Sequence, residues 1–153
     1  MIMSNYTIGI DFGTQSARVL IVEVETGREI LCKEEVYAHG VIDQKLPDCN
    51  ILLGKDWALQ DPRDYLQVLE KTVPQTVKEA GIEPEQIIGI GVDSTTSTLM
   101  PVDEMGTPLC MKEEWRTQPH AWIKIWKHHA AQEYADRMTE LALERHEPWI
   151  AQY

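Results

Sequence analysis

Two apolar runs flank a short polar stretch near the start of the chain. Tyr6–Phe12 and Ala17–Val24 are rich in Ile, Leu and Val, as strands are. Glu25-Thr26-Gly27 supplies a turn, and Arg28 to Tyr37 reads as a third strand. Three strands joined by short turns predict an antiparallel meander. From Ala38 to Gln60 the pattern dissolves into Gly, Pro, Asp and Asn with scattered apolar residues. A long irregular excursion of this kind is more often functional than idle. Asp61-Pro62 then offers an N-cap followed by proline at the first helical position. Leu66, Leu69, Val73, Val77 and Ala80 share one helical face, and Gly81 makes a natural stop. Pro74 lies inside that helix and predicts a kink, because it removes one backbone hydrogen bond and crowds the preceding turn.

Gln86 to Asp93, "QIIGIGVD", reads as a buried strand that ends in a carboxylate, as the first strand does. "STTST" follows, then a short strand through Pro101-Val102 and a hairpin-type turn from Asp103 to Gly106. Trp122 to Trp126 reads as extended. Ala130 to Arg145 predicts a helix with Ala131, Tyr134, Met138, Leu141 and Ala142 on its apolar side. A meander, a helix, a strand and another helix indicate an α/β fold with a mixed sheet.

The bulk composition narrows the function. At 153 residues the chain is long enough for one domain with a real core. A hydrophobic share of 43% and a charged share of 25% are those of an ordinary globular protein. A net charge of -11 argues against a nucleic-acid footprint or an anionic-membrane surface. It leaves room for an anionic ligand, since a nest of backbone N–H groups binds phosphate on an acidic protein. Cys32, Cys49 and Cys110 form no C-x-x-C, which suits a reducing cytosol and gives no zinc site. The first residues do not read as a signal peptide, and no run of 18 apolar residues occurs. The expected setting is cytoplasmic.

Chemistry concentrates in Asp11-Phe12-Gly13-Thr14-Gln15-Ser16-Ala17-Arg18. Gly13 lets the turn expose consecutive N–H groups, Thr14 and Ser16 add hydroxyls, and Arg18 adds a guanidinium suited to phosphate oxygens. Asp11 is of the type that holds hydrated magnesium, which takes one or two carboxylates plus phosphate oxygens. Spacing alone leaves a plain polar β-turn equally open. The stretch is not a Walker A loop, and a strand rather than a helix follows it, so it is not a dinucleotide fingerprint. The hydroxyls of "DSTTST" either cap the end of a strand or face a ligand. In "WKHH" the two histidines diverge on a strand or a helix, which makes a shared metal a poor reading. Trp57, Tyr65 and Trp115 read as packing, and the acidic residues from Glu133 to Glu147 as a solvated helix face.

"GIDFGTQSARVLIVEVETG" resembles the first phosphate motif of the ribonuclease H-like, actin-like ATPase superfamily, specifically of the FGGY carbohydrate kinases. "GVIDQKLPD", "IIGIGVDSTTSTLMPVDEMGTPL" and "HAWIKIWKHHAAQEYA" extend the resemblance over essentially the whole chain, closest to members that act on L-ribulose. The resemblance implies that residues 1–153 are the N-terminal part of the first kinase domain. It implies ATP and Mg2+ as cofactors and transfer of the γ-phosphoryl group to a terminal hydroxyl of L-ribulose. Carried over, Asp11 would position magnesium, Gly13, Thr14, Gln15 and Ser16 would line the phosphate loop, and Arg18 would approach the transferring group. Asp93, Thr95 and Thr96 would face the sugar, Trp126 would pack beside it, and Lys127 would meet an anionic group. Many family members carry an acidic residue where His128 stands, which puts an acid role there in doubt.

Complete members are several times longer, so the expectation is a fragment, inactive alone, that self-associates through apolar surface around Trp126, Trp149 and Tyr153. The competing readings are a kinase for xylulose or another pentulose, and a non-catalytic actin-like nucleotide-binding or interaction module.

Overall fold

The computed structural model describes residues 4–152, with side chains through residue 150. Tyr153 lies outside the described residues. β1 (Tyr6–Phe12), β2 (Ser16–Glu23) and β3 (Glu29–Val36) form the expected antiparallel meander. A two-residue strand, β4 (Leu59–Gln60), ends the excursion, and α1 (Pro62–Gln67) follows at once. Asp61 caps α1 by accepting from the Arg63 amide at 2.9 Å, and Pro62 occupies the first turn.

Beyond α1 the helix is not regular through to Gly81. A π-helical turn, Val68–Thr72, precedes α2 (Val73–Ala80), so Pro74 sits in the first turn of the new helix, where its missing N–H is least costly. The wider turn shifts the phase of the helix. Asp64, Val68, Thr72 and Thr76 are buried at four-residue spacing, while Leu66 and Leu69 of the expected face are 38% and 45% exposed. Gly81 ends α2 in the left-handed region, as its position after the last apolar residue predicts.

β5 (Ile87–Ser94) returns parallel to β1 and completes a mixed sheet in the order β3-β2-β1-β5. On one face Ile8, Ile10, Ala17, Val19 and Ile21 pack against Val68, Val77 and Ile82. β5 departs from the expected buried strand. It lies at the sheet edge, and Ile88, Ile90 and Val92 are 60%, 62% and 65% exposed because no described element covers them.

A second core of Ile42, Leu46, Leu59, Cys110, Ala121 and Trp122 gathers the excursion and the segment after residue 100. It carries a small antiparallel ribbon of β4 with β6 (Ile123–Lys124), paired Leu59 to Lys124 and Gln60 to Ile123. α3 (Gln132–Glu144) closes the chain. Of its expected apolar side Ala142 is buried, whereas Tyr134 and Met138 stand in solvent. Among the described residues no helix is long and apolar enough to cross a membrane.

Candidate functional site

Strand register assembles the site. Glu34 of β3 pairs with Arg18 of β2, Arg18 with Asp11 of β1, and Asp11 with Asp93 of β5. Side chains of directly paired residues project to the same face, so these four form one row across the sheet. The row lies on the face opposite the main core, beside a shallow recess of about 470 Å³ floored by Gly9 and Gly91. The Arg18 guanidinium lies 3.1 Å from Glu34 and 3.7 Å from Asp11. Two carboxylates thus share one guanidinium, and among the described residues Asp93, at the other end of the row, has no ion-pair partner.

The turn between β1 and β2 closes with a bond from the Gly13 amide to the Ser16 carbonyl at 3.0 Å. A Cβ on residue 13 would sit 2.8 Å from that carbonyl oxygen, so the close approach of backbone requires glycine. The Thr14 and Gln15 amides have no protein acceptor among the described residues. Ser16 instead donates its hydroxyl to Glu34 at 2.7 Å. The Gln15 side chain folds back against Gly40. Gly40 has a φ of +57°, and a Cβ there would come within 2.8 Å of Gln15 Oε1. The excursion therefore touches this turn.

The segment after β5 also joins the turn. The Thr95 amide donates to Phe12 O at 3.1 Å, and the Thr95 and Thr98 hydroxyls lie 2.7 Å apart. Thr96 is exposed to solvent, and Asp93 accepts from the Ser94 amide. Trp126, half exposed, donates its indole N–H to Thr14 Oγ1 at 3.1 Å, and Lys127 Nζ sits over the Trp126 ring. The structure thus brings Asp11, Thr14, Arg18, Asp93, Thr95 and Trp126 into one neighbourhood, with Lys127 at its rim.

His128 has a structural role at the position where an acid was in doubt. Its Nδ1 accepts the Ala58 amide at 3.2 Å, and its ring stands edge-on to Trp57. Burial, then the charges of Lys124 and His120, lower its pKa from the usual 6.5, which keeps the acceptor nitrogen free of a proton. The folded-state value is below the unfolded one, so this stabilisation is full above about pH 6.5 and is lost as pH falls through the folded value. The thermal midpoint is therefore expected to drop on acidification from about pH 7 to about pH 5. The drop should be smaller in His128→Gln, as differential scanning fluorimetry would show; equal drops would remove His128 from the account.

Sequence reasoning missed Gln60, Tyr65 and the His39–Asp64 pair. His39 donates its amide to Asp64 Oδ2 and places Nδ1 2.9 Å from Oδ1, tying the excursion to the start of α1. Only the polarity of otherwise helix-facing positions hinted at this.

Magnesium fits the donor set. Among the described residues no three or more His, Cys, Asp or Glu side chains gather to enclose a metal ion. An ion beside Asp11 and Asp93 would keep several waters, which is the coordination magnesium favours.

The chain is similar to known proteins in sequence and in fold. Ribulokinase from Halalkalibacterium halodurans is 47% identical over 150 residues, covering 98% of this chain and 27% of that protein. Ribulokinase from Bacillus licheniformis is 51% identical over 138 residues, covering 90% of this chain and 25% of that protein. The chain therefore spans about a quarter of the length of the curated relatives it matches. A "xyloylose kinase" from Brucella ovis superposes with a TM-score of 0.63 at 17% identity, over 92% of this chain and 25% of that one. Plasmodium falciparum glycerol kinase with ADP gives 0.59 at 17% identity, over 88% and 23%. Both likenesses are of fold. Residues 6–149 match the N-terminal domain of the FGGY family of carbohydrate kinases, and the chain belongs to that family.

Proposed function

We propose that this chain supplies the phosphate-binding turn and the sugar-facing strand of an ATP-dependent kinase for L-ribulose. The carrying observation is the row Glu34–Arg18–Asp11–Asp93 beside a turn with two free amides. Phosphoryl transfer is mainly positioning and charge stabilisation, and the row offers both. Amides 14 and 15 and the Thr14 hydroxyl would bind the polyphosphate, and Arg18 would swing from Asp11 toward the transferring group. Asp11, with Asp93 beside it, would hold hydrated Mg2+, which supplies the positive charge missing at that end of the row. Thr95, Thr96 and Trp126 would border the sugar and Lys127 would meet an anionic group at the rim. Ribulose is favoured over xylulose because this chain is about half identical to the ribulokinases over the quarter of their length that it spans, while the xylulose kinase likeness is one of fold.

The 153-residue chain alone is expected to give no turnover. Asp11 and Arg18 have half-exposed side chains, and the described residues supply no second wall to exclude water as substrates react. Self-association through the open β5 edge, together with Trp126 and Trp149, belongs to the same reading, as does a cytoplasmic setting. The test is an NMR titration of the chain with Mg·ADP and with L-ribulose. Shifts confined to residues 11–18 and 93–98, and abolished for the nucleotide by Asp11→Asn, are expected. Shifts elsewhere would overturn the site, and phosphorylated sugar above a blank in a separate incubation with Mg·ATP and L-ribulose would overturn the inactivity.

A further inference from the structure

Gln60 belongs to no motif, yet it is 1% exposed and every polar atom of its side-chain amide is engaged. Nε2 donates to Thr14 O at 2.8 Å and more distantly to Gly13 O at 3.5 Å, and Oε1 accepts the Tyr65 hydroxyl. The two backbone carbonyls decide which way round the amide sits: they can only accept, so the nitrogen must face the turn, and the Tyr65 hydroxyl then donates to the oxygen. A trans peptide is planar, with its C=O and the following N–H pointing in opposite directions. Drawing the Gly13 and Thr14 carbonyls toward Gln60 therefore aims the Thr14 and Gln15 amides away from it. Those are the two amides without a protein acceptor among the described residues.

Trp126 acts on the same residue from another side. Its N–H occupies one lone pair of Thr14 Oγ1, so the hydroxyl proton remains free to be donated elsewhere. Gln60 lies on β4 and Trp126 two residues beyond β6, and Leu59 and Ile123 of that ribbon are fully buried, so both arms start from one packed base. We propose that Gln60 and Trp126 are positioning residues that clamp Thr14 and thereby aim two amides and a hydroxyl at an anionic group. This rests on the phosphate-binding reading above only for the identity of the anion.

The clamp can be read without ligand. In the free chain, Gln60→Met keeps the side-chain volume but removes its hydrogen bonds. It is expected to move the Thr14 and Gln15 amide resonances and speed their hydrogen exchange, leaving Val19 and Ile21 in β2 unchanged. Should that variant fail to fold, Tyr65→Phe frees the amide oxygen with less disturbance and is expected to move the same two resonances. Thr14→Val should shift the Trp126 indole N–H resonance. With Mg·ADP as probe, Gln60→Met is expected to weaken binding about tenfold, the size of one lost oriented hydrogen-bond set. Gln60→Glu would restore binding only at acid pH, where a protonated carboxyl again donates to Thr14 O. Thr14 and Gln15 amides that stay put in Gln60→Met or Tyr65→Phe, or that move only with the whole β1–β2 ladder, would overturn the proposal. If the free-chain results hold but Mg·ADP leaves residues 11–18 untouched, the clamp stands and the phosphate reading fails.

Discussion

Trp122→Ala is expected to cost about 3–5 kcal/mol, the largest loss of any single truncation in this chain. Trp122 is 1% exposed and is the largest fully buried side chain among the described residues. It sits at the centre of the second core, against Leu46, Leu59 and Cys110, and its indole N–H donates to Arg116 O at 3.1 Å. Truncation leaves a cavity and an unpaired carbonyl together. The first core, under β1 and β2, shares none of these buried residues. Denaturant unfolding should therefore report the loss while amide exchange localises it to β4, β6 and the segment around Arg116, with Val19 and Ile21 still protected. Unchanged exchange at Leu59 and Ile123 would show that the second core does not depend on this ring.

Gly13→Ala has the largest expected effect on the site itself. The new Cβ would meet the Ser16 carbonyl oxygen at 2.8 Å, and both atoms belong to backbone that cannot rotate aside. The turn must open, breaking the Gly13–Ser16 bond and turning the Thr14 and Gln15 amides out of alignment. A strain of about 1–3 kcal/mol in stability is expected, with loss of Mg·ADP binding of more than about tenfold. Gly9→Ala is the control, because nothing lies within 4 Å of a Cβ placed there. Equal stability of the two variants in urea would refute the close-approach argument.

Much of this was readable in advance where chemistry is local. The meander, the Asp61-Pro62 helix start and the Gly81 stop depend on neighbours in sequence, and the strands and helix ends fall within a residue or two of their expected places. Asp11, Gly13 and Arg18 were legible because a carboxylate, a tight turn and a guanidinium between two strands bear on an anion whatever surrounds them. What stayed hidden is long-range. The exposure of Ile90 depends on β5 being at an edge, and its sequence reads the same whether covered or bare. Gln60 lies 46 positions from the Thr14 carbonyl it holds, and glutamine carries no signal of its partner. The helical face was misread because a regular 3.6 period was assumed through Val68–Thr72, where the chain has a wider turn.

That wider turn works as a phase joint. A regular helix that buried every fourth residue would rotate its buried stripe by about 40° each turn, roughly a third of the way round between Asp64 and Thr76. The π turn absorbs the drift, so one helical run keeps two appointments. At its first end Tyr65 steers the Gln60 amide, and at its second Val77 and Ile82 lie under the sheet. The Thr76 hydroxyl donates to Thr72 O at 2.6 Å across the joint, and the Thr72 hydroxyl reaches Glu35 on β3. The angular setting of Tyr65, and with it the hold of Gln60 on the Thr14 carbonyl, is thus geared to the sheet through a helix that changes pitch partway.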